Sequence, residues 1–387
     1  MRDLLQCRDD IDRIDNEIIR LLTERMDVAN DIAEYKLEKN QPITDAKREH
    51  SKLVNLREKA KNAGLSPSYI TDLFKTIIKH TCSAEQQYII AKANSDTIVR
   101  DTSVAYLGTK GSYSHIATIR YLEGFKGIID AQGCSSFTQI VSSVENSKCE
   151  FGILPIENSS SGSINDVLDT IQNTKASIVG EIFVPIDHSI LGVEKTDLAE
   201  ITDIYSHPQP LTQCSMWIEK MLPNVNVHYT SATSEAMEIV ANMNDPHHVA
   251  IGSHMAADLY NLTPIADHIS NNPNNFTRFI AISMTAVNIP ETIAAKTSLA
   301  FSVQKYQPGS LIKVLNEFSK RNINVTKLIS RPRIDSNKDV WEEIFFADVQ
   351  ANINESAMQE ILDSIKPYTN FMKVLGCYAS SEIHQSK

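Results

Sequence analysis

An apolar stripe near the N-terminus sets the strongest constraint on the fold. Ile11, Ile14, Ile18, Leu21, Leu22, Val28 and Ile32 recur at helical spacing over about thirty residues, with no Gly or Pro among them. Such a helix is about 45 Å long at 1.5 Å per residue. Gln41-Pro42 breaks it, Thr44 or Asp45 offers a cap for a second helix, and Ser66-Pro67 has the cap-then-proline order that opens a third. Residues 1–92 therefore read as an all-α three-helix domain. Three helices of this length leave apolar faces that one chain does not cover, which predicts a homodimer or a higher even oligomer.

The chain continues well beyond these helices. At 387 residues it exceeds what one hydrophobic core serves, so two or three domains are expected. Residues 93–102 are polar and aperiodic, as in a linker. Beyond them Val104-Ala105-Tyr106-Leu107, Phe151-Gly152-Ile153-Leu154, Ile204-Tyr205 and Val249-Ala250-Ile251 are short apolar runs, each followed by small polar residues and a helical stretch. That is the α/β alternation of parallel sheets, and it occupies 102–285. Residues 296–382 give strand, helix, two strands, helix and strand, a ferredoxin-like α+β order.

Several partners are argued against. A net charge of −11 repels phosphate backbones, so nucleic acid is a poor ligand. No apolar run approaches the roughly 20 residues of a membrane span. Met1 to Gln6 does not open an apolar leader segment, which favours the cytoplasm. Cys7, Cys82, Cys134, Cys149, Cys214 and Cys377 are scattered without a C-x-x-C pair, fitting reduced thiols better than a zinc site or disulfide framework. His247-His248 and His254 read as surface or loop histidines, because neighbours on a strand point apart and do not form a metal site unaided. No metal or cofactor is expected.

Arg25 falls in the apolar seam of the first helix, and Lys36 follows three turns later on the same face. A lone cation there would snorkel to solvent. Here the second helix adds Asp45, Arg48 and Glu49 within one turn, and the third adds Thr81 and Glu85 at i, i+4, so the cluster favours a buried dianion site. In order and spacing Arg8, Arg25, Lys36, Asp45, Arg48 and Glu49 resemble the all-helical chorismate mutase family over about residues 4–90. The resemblance implies that Arg25 and Arg8 of the partner subunit grip the two carboxylates of chorismate, with Arg48 ordering that site. It also implies that Lys36 donates to the breaking ether oxygen while Asp45 and Glu49 engage the ring hydroxyl. Four residues after Thr81, where a Gln is common in relatives, this chain has Glu85. An ionised Glu has no proton to donate. Glu85 is therefore expected to act protonated, with a mutase rate that rises toward acid pH.

In the α/β region four strands end in loops that suit carboxylate binding at helix starts: Gly108 to His115, Glu157 to Ser163, Ser206 to Pro210, and Gly252 to His254. Singly each is helix capping, whereas together they suggest a cleft. Neither a G-x-G-x-x-G nor a phosphate-loop motif is present, so no nucleotide site is supported. The motifs Gly111-Ser112-Tyr113-Ser114-His115, Pro155-Ile156-Glu157-Asn158-Ser159, Ser206-His207-Pro208-Gln209 and Asn275-Phe276-Thr277-Arg278-Phe279 resemble those of prephenate dehydratases. That family's fold is two α/β lobes around a cleft, similar to type II periplasmic binding proteins. The resemblance implies that Thr277 is the donor to the departing hydroxyl of prephenate, with Asn158 and Gln213 as polar partners. Ser112, Ser159 and Ser160, with Glu157, are grouped as substrate contacts. Arg278 either binds a carboxylate or pairs with a neighbouring acid.

In the last region Pro308-Gly309-Ser310-Leu311-Ile312 and Ser330-Arg331-Pro332 resemble the ACT regulatory domain. By that resemblance the two segments meet at a subunit interface and bind L-phenylalanine, although Ile329 stands where Glu usually precedes Ser-Arg-Pro. The whole chain thus resembles the bifunctional chorismate mutase-prephenate dehydratases with a C-terminal ACT domain. The implied ligands are chorismate, prephenate and phenylalanine as feedback inhibitor. Two other readings stay open: a dehydratase whose mutase is weakened by Glu85, and a non-catalytic amino-acid sensor.

Overall fold

The computed structural model describes residues 3–94, 101–125, 127–304, 307–335 and 340–381. Residues 95–100 of the expected linker, and 382 at the end of the expected C-terminal domain, lie outside the described residues. Three helices open the chain: α1 (Leu4–Glu38), α2 (Ala46–Asn62) and α3 (Pro67–Ala93). At 35 residues α1 is longer than its apolar stripe, since nothing in its sequence breaks a helix before Asn40, which turns left-handed at φ 49°. Asp45 is the cap of α2, its carboxylate accepting from Arg48 N at 3.0 Å, and Ser66 caps α3 ahead of Pro67. Only Ala29 and Ala33 of α1 are buried. Ile11, Ile14 and Ile18 remain 57%, 47% and 50% exposed, an uncovered face of the kind the stripe predicts.

The next elements are β1 (Thr102–Leu107), α4 (Tyr113–Tyr121), β2 (Ile129–Cys134), α5 (Phe137–Glu145), β3 (Phe151–Asn158), β4 (Gly162–Ser163), α6 (Asn165–Ile171) and β5 (Ser177–Pro185). The chain then enters a second lobe. It comprises β6 (Ser189–Gly192), β7 (Asp203–Ser206), α7 (Pro208–Gln213), α8 (Ser215–Met221), β8 (Asn226–Tyr229), α9 (Thr233–Met243), β9 (His248–Gly252), α10 (His254–Ala257) and β10 (Thr263–Ala266). A return crossover leads to β11 (Phe276–Ser283) in the first lobe. The sheet orders are β2-β1-β3-β11-β5, with β4 beside β3, and β10-β6-β9-β7-β8.

Both sheets are mixed, which corrects the expectation of parallel ones. β1, β2 and β3 run parallel, but β11 is antiparallel to β3 and β5, and β6 is antiparallel to β9 and β10. The cause is the double crossing: a strand that re-enters a sheet from the other lobe arrives from the opposite end.

The last region contains β12 (Ala295–Val303), α11 (Ser310–Lys320), β13 (Val325–Asp335), β14 (Val340–Val349), α12 (Ser356–Ile365) and β15 (Thr369–Ala379). Its antiparallel sheet, ordered β13-β14-β12-β15, buries one face under α11 and α12 through Leu299, Phe301, Val314, Phe318 and Ile361. The other face shares a core with the first lobe, where Ala300, Phe346 and Tyr378 join Ile140, Leu168 and Ile178. Ala33, Ile43 and Ile89 of the helical region pack on Ile289, Ile293 and Cys377, and Ile43 N donates to Thr292 O at 3.3 Å. No helix among the described residues is long and apolar enough to cross a membrane.

Candidate active sites

In the helical region α3 supplies the floor of the first cluster. Thr81 and Glu85, 7% and 5% exposed, lie one turn apart and meet α1. The Arg25 guanidinium donates to Thr81 Oγ1. Lys36 Nζ donates to Glu85 Oε2 at 2.7 Å and to Ile43 O at 2.6 Å. Arg48, Glu49 and Asp45 stand on α2 around this floor, Asp45 and Arg48 exposed and Glu49 half-buried. Burial, then the nearby carboxylates of Glu49 and Glu85, push the Cys82 thiol up to about 11. Desolvation, then Arg25 and Arg48, lower the Lys52 ammonium. Lys52 was not singled out from the sequence, although its position one turn beyond Arg48 on α2 was a usable signal. Arg8 is exposed and lies 17 residues before Arg25, about 26 Å along the same helix. A single chain does not bring these two arginines together.

The second cluster sits where the two crossovers pass between the lobes. Asn158, 6% exposed at the end of β3, pairs in register with Thr277 on β11. Its carbonyl accepts from the backbone N–H groups of Ser160 at 2.9 Å and Ser161 at 3.0 Å. Those donors fix the amide, so its NH2 must face Asn275 Oδ1 at 2.8 Å and Thr277 Oγ1 at 2.9 Å. Thr277 Oγ1 is an acceptor in this bond, which leaves its own proton for another group. Ser159 Oγ receives Phe276 N at 2.9 Å, and Ser160 Oγ receives Asn272 Nδ2 at 3.3 Å, so both serines edge the same cluster. Gln213 Oε1 lies 2.8 Å from His188 Nε2, and the Gln213 backbone carbonyl accepts from Asn271 N at 2.7 Å on the second crossover. Tyr113 Oη stands 3.1 Å from the other ring nitrogen. His188 belongs to none of the motifs quoted from the sequence, and only the crossover geometry reveals it.

Three expected contacts are placed differently. Ser112 caps α4, accepting from His115 N at 3.2 Å and donating to Leu107 O at 3.2 Å. Glu157 and Arg278 alternate with Asn158 and Thr277, so the strand period turns them to the opposite face of the sheet. There Glu157 takes Lys327 Nζ at 2.8 Å. Arg278, 5% exposed, donates to Glu181 at 2.8 Å, Asp348 at 2.6 Å and Tyr378 Oη at 2.8 Å. Of the two roles left open for Arg278, its geometry is that of the acid pair.

The lobes also touch at the rim. Thr109 Oγ1 donates to Ser234 Oγ at 2.5 Å, and Tyr260 Oη donates to Lys110 O at 2.6 Å. Gly111 has φ 83°, and a Cβ there would stand 2.9 Å from the Tyr260 ring, so this approach requires glycine. A groove of about 930 Å³ runs elsewhere, between α3 and the first lobe beside Lys79, Arg120 and Phe125, and includes none of the expected site residues.

In the C-terminal sheet Gly309 is left-handed at φ 81° before α11, and Ser310 Oγ donates to Gln307 O at 2.8 Å. Leu311 packs against the core, and Ile312 is 63% exposed. Ser330, Arg331 and Pro332 lie on edge strand β13. Arg331 pairs with Ile344, which pairs with Ser302, so they lie at the end of the sheet from which β12 runs on toward Gly309. Arg331 is turned inward to Asp169 of α6, its Nε 3.3 Å from the carboxylate, rather than left free for a ligand.

Comparison with known proteins matches three family models in succession: Chorismate mutase type II over residues 7–86, Prephenate dehydratase over 104–286 and ACT domain over 302–366. A protein of Buchnera aphidicola subsp. Schizaphis graminum, named bifunctional chorismate mutase/prephenate dehydratase, is 40% identical over 382 residues, covering 98% of this chain and 97% of the relative. The Escherichia coli K12 protein of the same name is 38% identical with the same coverage. Among solved structures, a prephenate dehydratase of Arthrobacter aurescens in complex with L-Phe has a TM-score of 0.65 at 24% identity, over 74% of this chain and 92% of that one. Another, described as a novel type of quorum quenching acylase, has a TM-score of 0.63 at 26% identity, over 72% of this chain and 98% of that one.

Proposed function

Because the chain belongs to the bifunctional chorismate mutase/prephenate dehydratase family, we propose that its helical cluster and its interlobe cluster are successive active sites of one enzyme. It rearranges chorismate to prephenate, then decarboxylates and dehydrates prephenate to phenylpyruvate, and its ACT domain answers to L-phenylalanine. We assign 1–92, 102–285 and 296–382 to the mutase, dehydratase and ACT domains.

The mutase step is unimolecular and needs a gripped conformer and stabilised charge rather than a nucleophile. Arg25, with Arg8 of the partner subunit, supplies cations for the two carboxylates, and Arg48 supports them. Lys36 and Glu85 satisfy each other at 2.7 Å until the ether oxygen arrives between them. The exposed apolar stripe of α1 supports a dimer in which each site borrows its second arginine. Six free cysteines support a cytoplasmic setting.

In the dehydratase step the ring carboxylate leaves as CO2 while its bonding electrons enter the ring. The ring hydroxyl leaves with one added proton as water. Aromaticity drives the change, so a donor beside the hydroxyl is what the site must supply. The observation that carries this reading is Thr277, whose oxygen is fixed by Asn158 at 2.9 Å while its proton stays unclaimed by that bond. Gln213, Ser159 and Ser160 complete the substrate set. Arg278 is left out of it, because it faces away. Gly309 to Ile312 of one subunit with Ser330 to Pro332 of another form the phenylalanine site.

The test is to follow chorismate loss and phenylpyruvate formation separately, at pH 5 and 8, with and without millimolar phenylalanine. Both reactions, and inhibition by phenylalanine, are expected. Neither reaction proceeding would favour a non-catalytic sensor, and phenylpyruvate from prephenate alone would favour a dehydratase with a weakened mutase.

A further inference from the structure

We propose that His188 is a positioning residue of the dehydratase site, whose ring sets which end of the Gln213 amide faces the cleft. The inference rests on the assignment of Gln213 to that site. His188 is 1% exposed, on the first crossover between the lobes. Its backbone is tied to the second crossover, N donating to Ser270 Oγ at 3.3 Å and O accepting from Ile269 N at 3.1 Å. Its ring spans both lobes. Tyr113 of α4 stands against Nδ1 at 3.1 Å, and Gln213, the last residue of α7, stands against Nε2 at 2.8 Å.

Counting protons decides the polarity of this chain of contacts. Tyr113 has one hydroxyl proton, and Asp187 O, a carbonyl that only accepts, takes it at 2.6 Å. Nδ1 of His188 must therefore carry a proton and donate to the tyrosine oxygen. A neutral imidazole has only that one N–H, so Nε2 is bare and needs a donor. As placed, the glutamine presents Oε1 to Nε2, and the two ends of its amide exchange by a half-turn. The end held at Nε2 is then the NH2, and the Gln213 carbonyl is delivered to the cleft. A carbonyl there accepts the hydrogen of the substrate hydroxyl and turns that oxygen's lone pairs toward the Thr277 proton. Doubly protonated His188 would hold the carbonyl instead and present an NH2 to the cleft, the opposite polarity.

The surroundings keep the neutral form. Burial is the largest influence on the His188 pKa and lowers it, with the Asp187 carboxylate opposing it less strongly. Of the titratable groups facing it, Tyr113 is pushed well above its ordinary value by burial. Cys214 is pushed up to about 12 for the same reason. The Asp187 carboxylate is turned to His268, 2.5 Å away.

Two measurements on the full chain test the assignment. The first is nitrogen NMR of histidine-labelled wild-type protein at pH 7, with His188 assigned by the signals lost in His188→Asn. A protonated Nδ1 with bare Nε2 is expected, and a proton on Nε2 overturns the proposal whatever the enzyme's activity. The second is a double-mutant cycle. His188→Asn is expected to lower kcat for prephenate on the order of 100-fold, as a misplaced site group does, with little change in KM and an unchanged rate of chorismate consumption. In a Gln213→Ala background the same change should cost little more. Losses that multiply would mean that His188 merely supports the fold, contradicting the proposal. Wild-type protein that makes no phenylpyruvate would sink the dehydratase reading itself, while the NMR result would still stand or fall by its own outcome.

Discussion

Thr277 and Arg278 are consecutive residues of β11 that serve opposite faces of one sheet. Thr277 Oγ1 lies 2.9 Å from Asn158 beside the interlobe cleft, whereas the Arg278 guanidinium reaches Asp348 at 2.6 Å in the C-terminal domain. One strand thus joins the candidate catalytic hydroxyl to the regulatory sheet. Lys296, also buried, completes the balance by holding Glu181 at 3.0 Å.

Removing Arg278 takes the paired cation from buried Asp348, while Glu181 keeps Lys296, whereas removing the Thr277 hydroxyl strands no acid. Arg278→Ala is expected to lose about 3–5 kcal/mol of stability, since breaking a buried pair leaves uncompensated charge. Thr277→Ala should stay within about 1 kcal/mol of wild type on the same scale, as one lost neutral hydrogen bond does. Urea titrations of both variants check the contrast, and equal losses would count against it.

Acid should loosen this junction late. Burial pushes the Asp348 carboxyl up, but Arg278 and the Ser298 hydroxyl outweigh it and hold the carboxyl below the ordinary aspartate value. A lowered folded pKa contributes stability that is present above the unfolded value, about 3.9, and is lost as pH falls through the folded one. Thermal midpoints between pH 3 and 6 should therefore depend less on pH in Asp348→Asn than in wild type. Parallel curves would contradict the assignment.

The Lys36–Glu85 pair makes its own prediction for the mutase. Gln at position 85 can donate to the ether oxygen without gaining a proton and does not neutralise Lys36. Glu85→Gln should retain mutase activity and show a flatter rate between pH 5 and 8, while Lys36→Met loses on the order of 100-fold or more, the scale of losing one charge-stabilising donor. An unaltered pH profile in Glu85→Gln would remove Glu85 as the donor.

The uncovered stripe of α1 predicts separable failures. Ile18 is half exposed in one chain, so Ile18→Glu should leave the folded chain intact but split the proposed dimer. Sedimentation velocity should report monomer, with chorismate turnover lost and phenylpyruvate formation from prephenate kept. A dimer with full mutase activity would contradict the borrowed-arginine arrangement.

Much of this molecule is legible in its sequence because the informative patterns are local. The apolar period of Ile11 to Ile32, the Asp45 and Ser66 caps and the βαββαβ order all depend on neighbours a few residues apart. Strand direction was not legible, because it follows from two crossovers that join distant segments. Arg278 was ambiguous for a related reason: alternation separates it from Thr277, but only the docking of the C-terminal sheet shows which acids await it. His188 gave no motif at all, since its partners Tyr113 and Gln213 come from opposite lobes.

The role of the Thr277 hydroxyl is read from the rate of phenylpyruvate formation from prephenate in wild type, Thr277→Ser and Thr277→Val. Ser keeps the hydroxyl, and Val keeps the shape without it. Turnover in wild type, retained activity in Thr277→Ser, and a loss on the order of 100-fold or more in Thr277→Val with chorismate consumption unchanged are expected. A wild-type kcat in Thr277→Val would contradict that role.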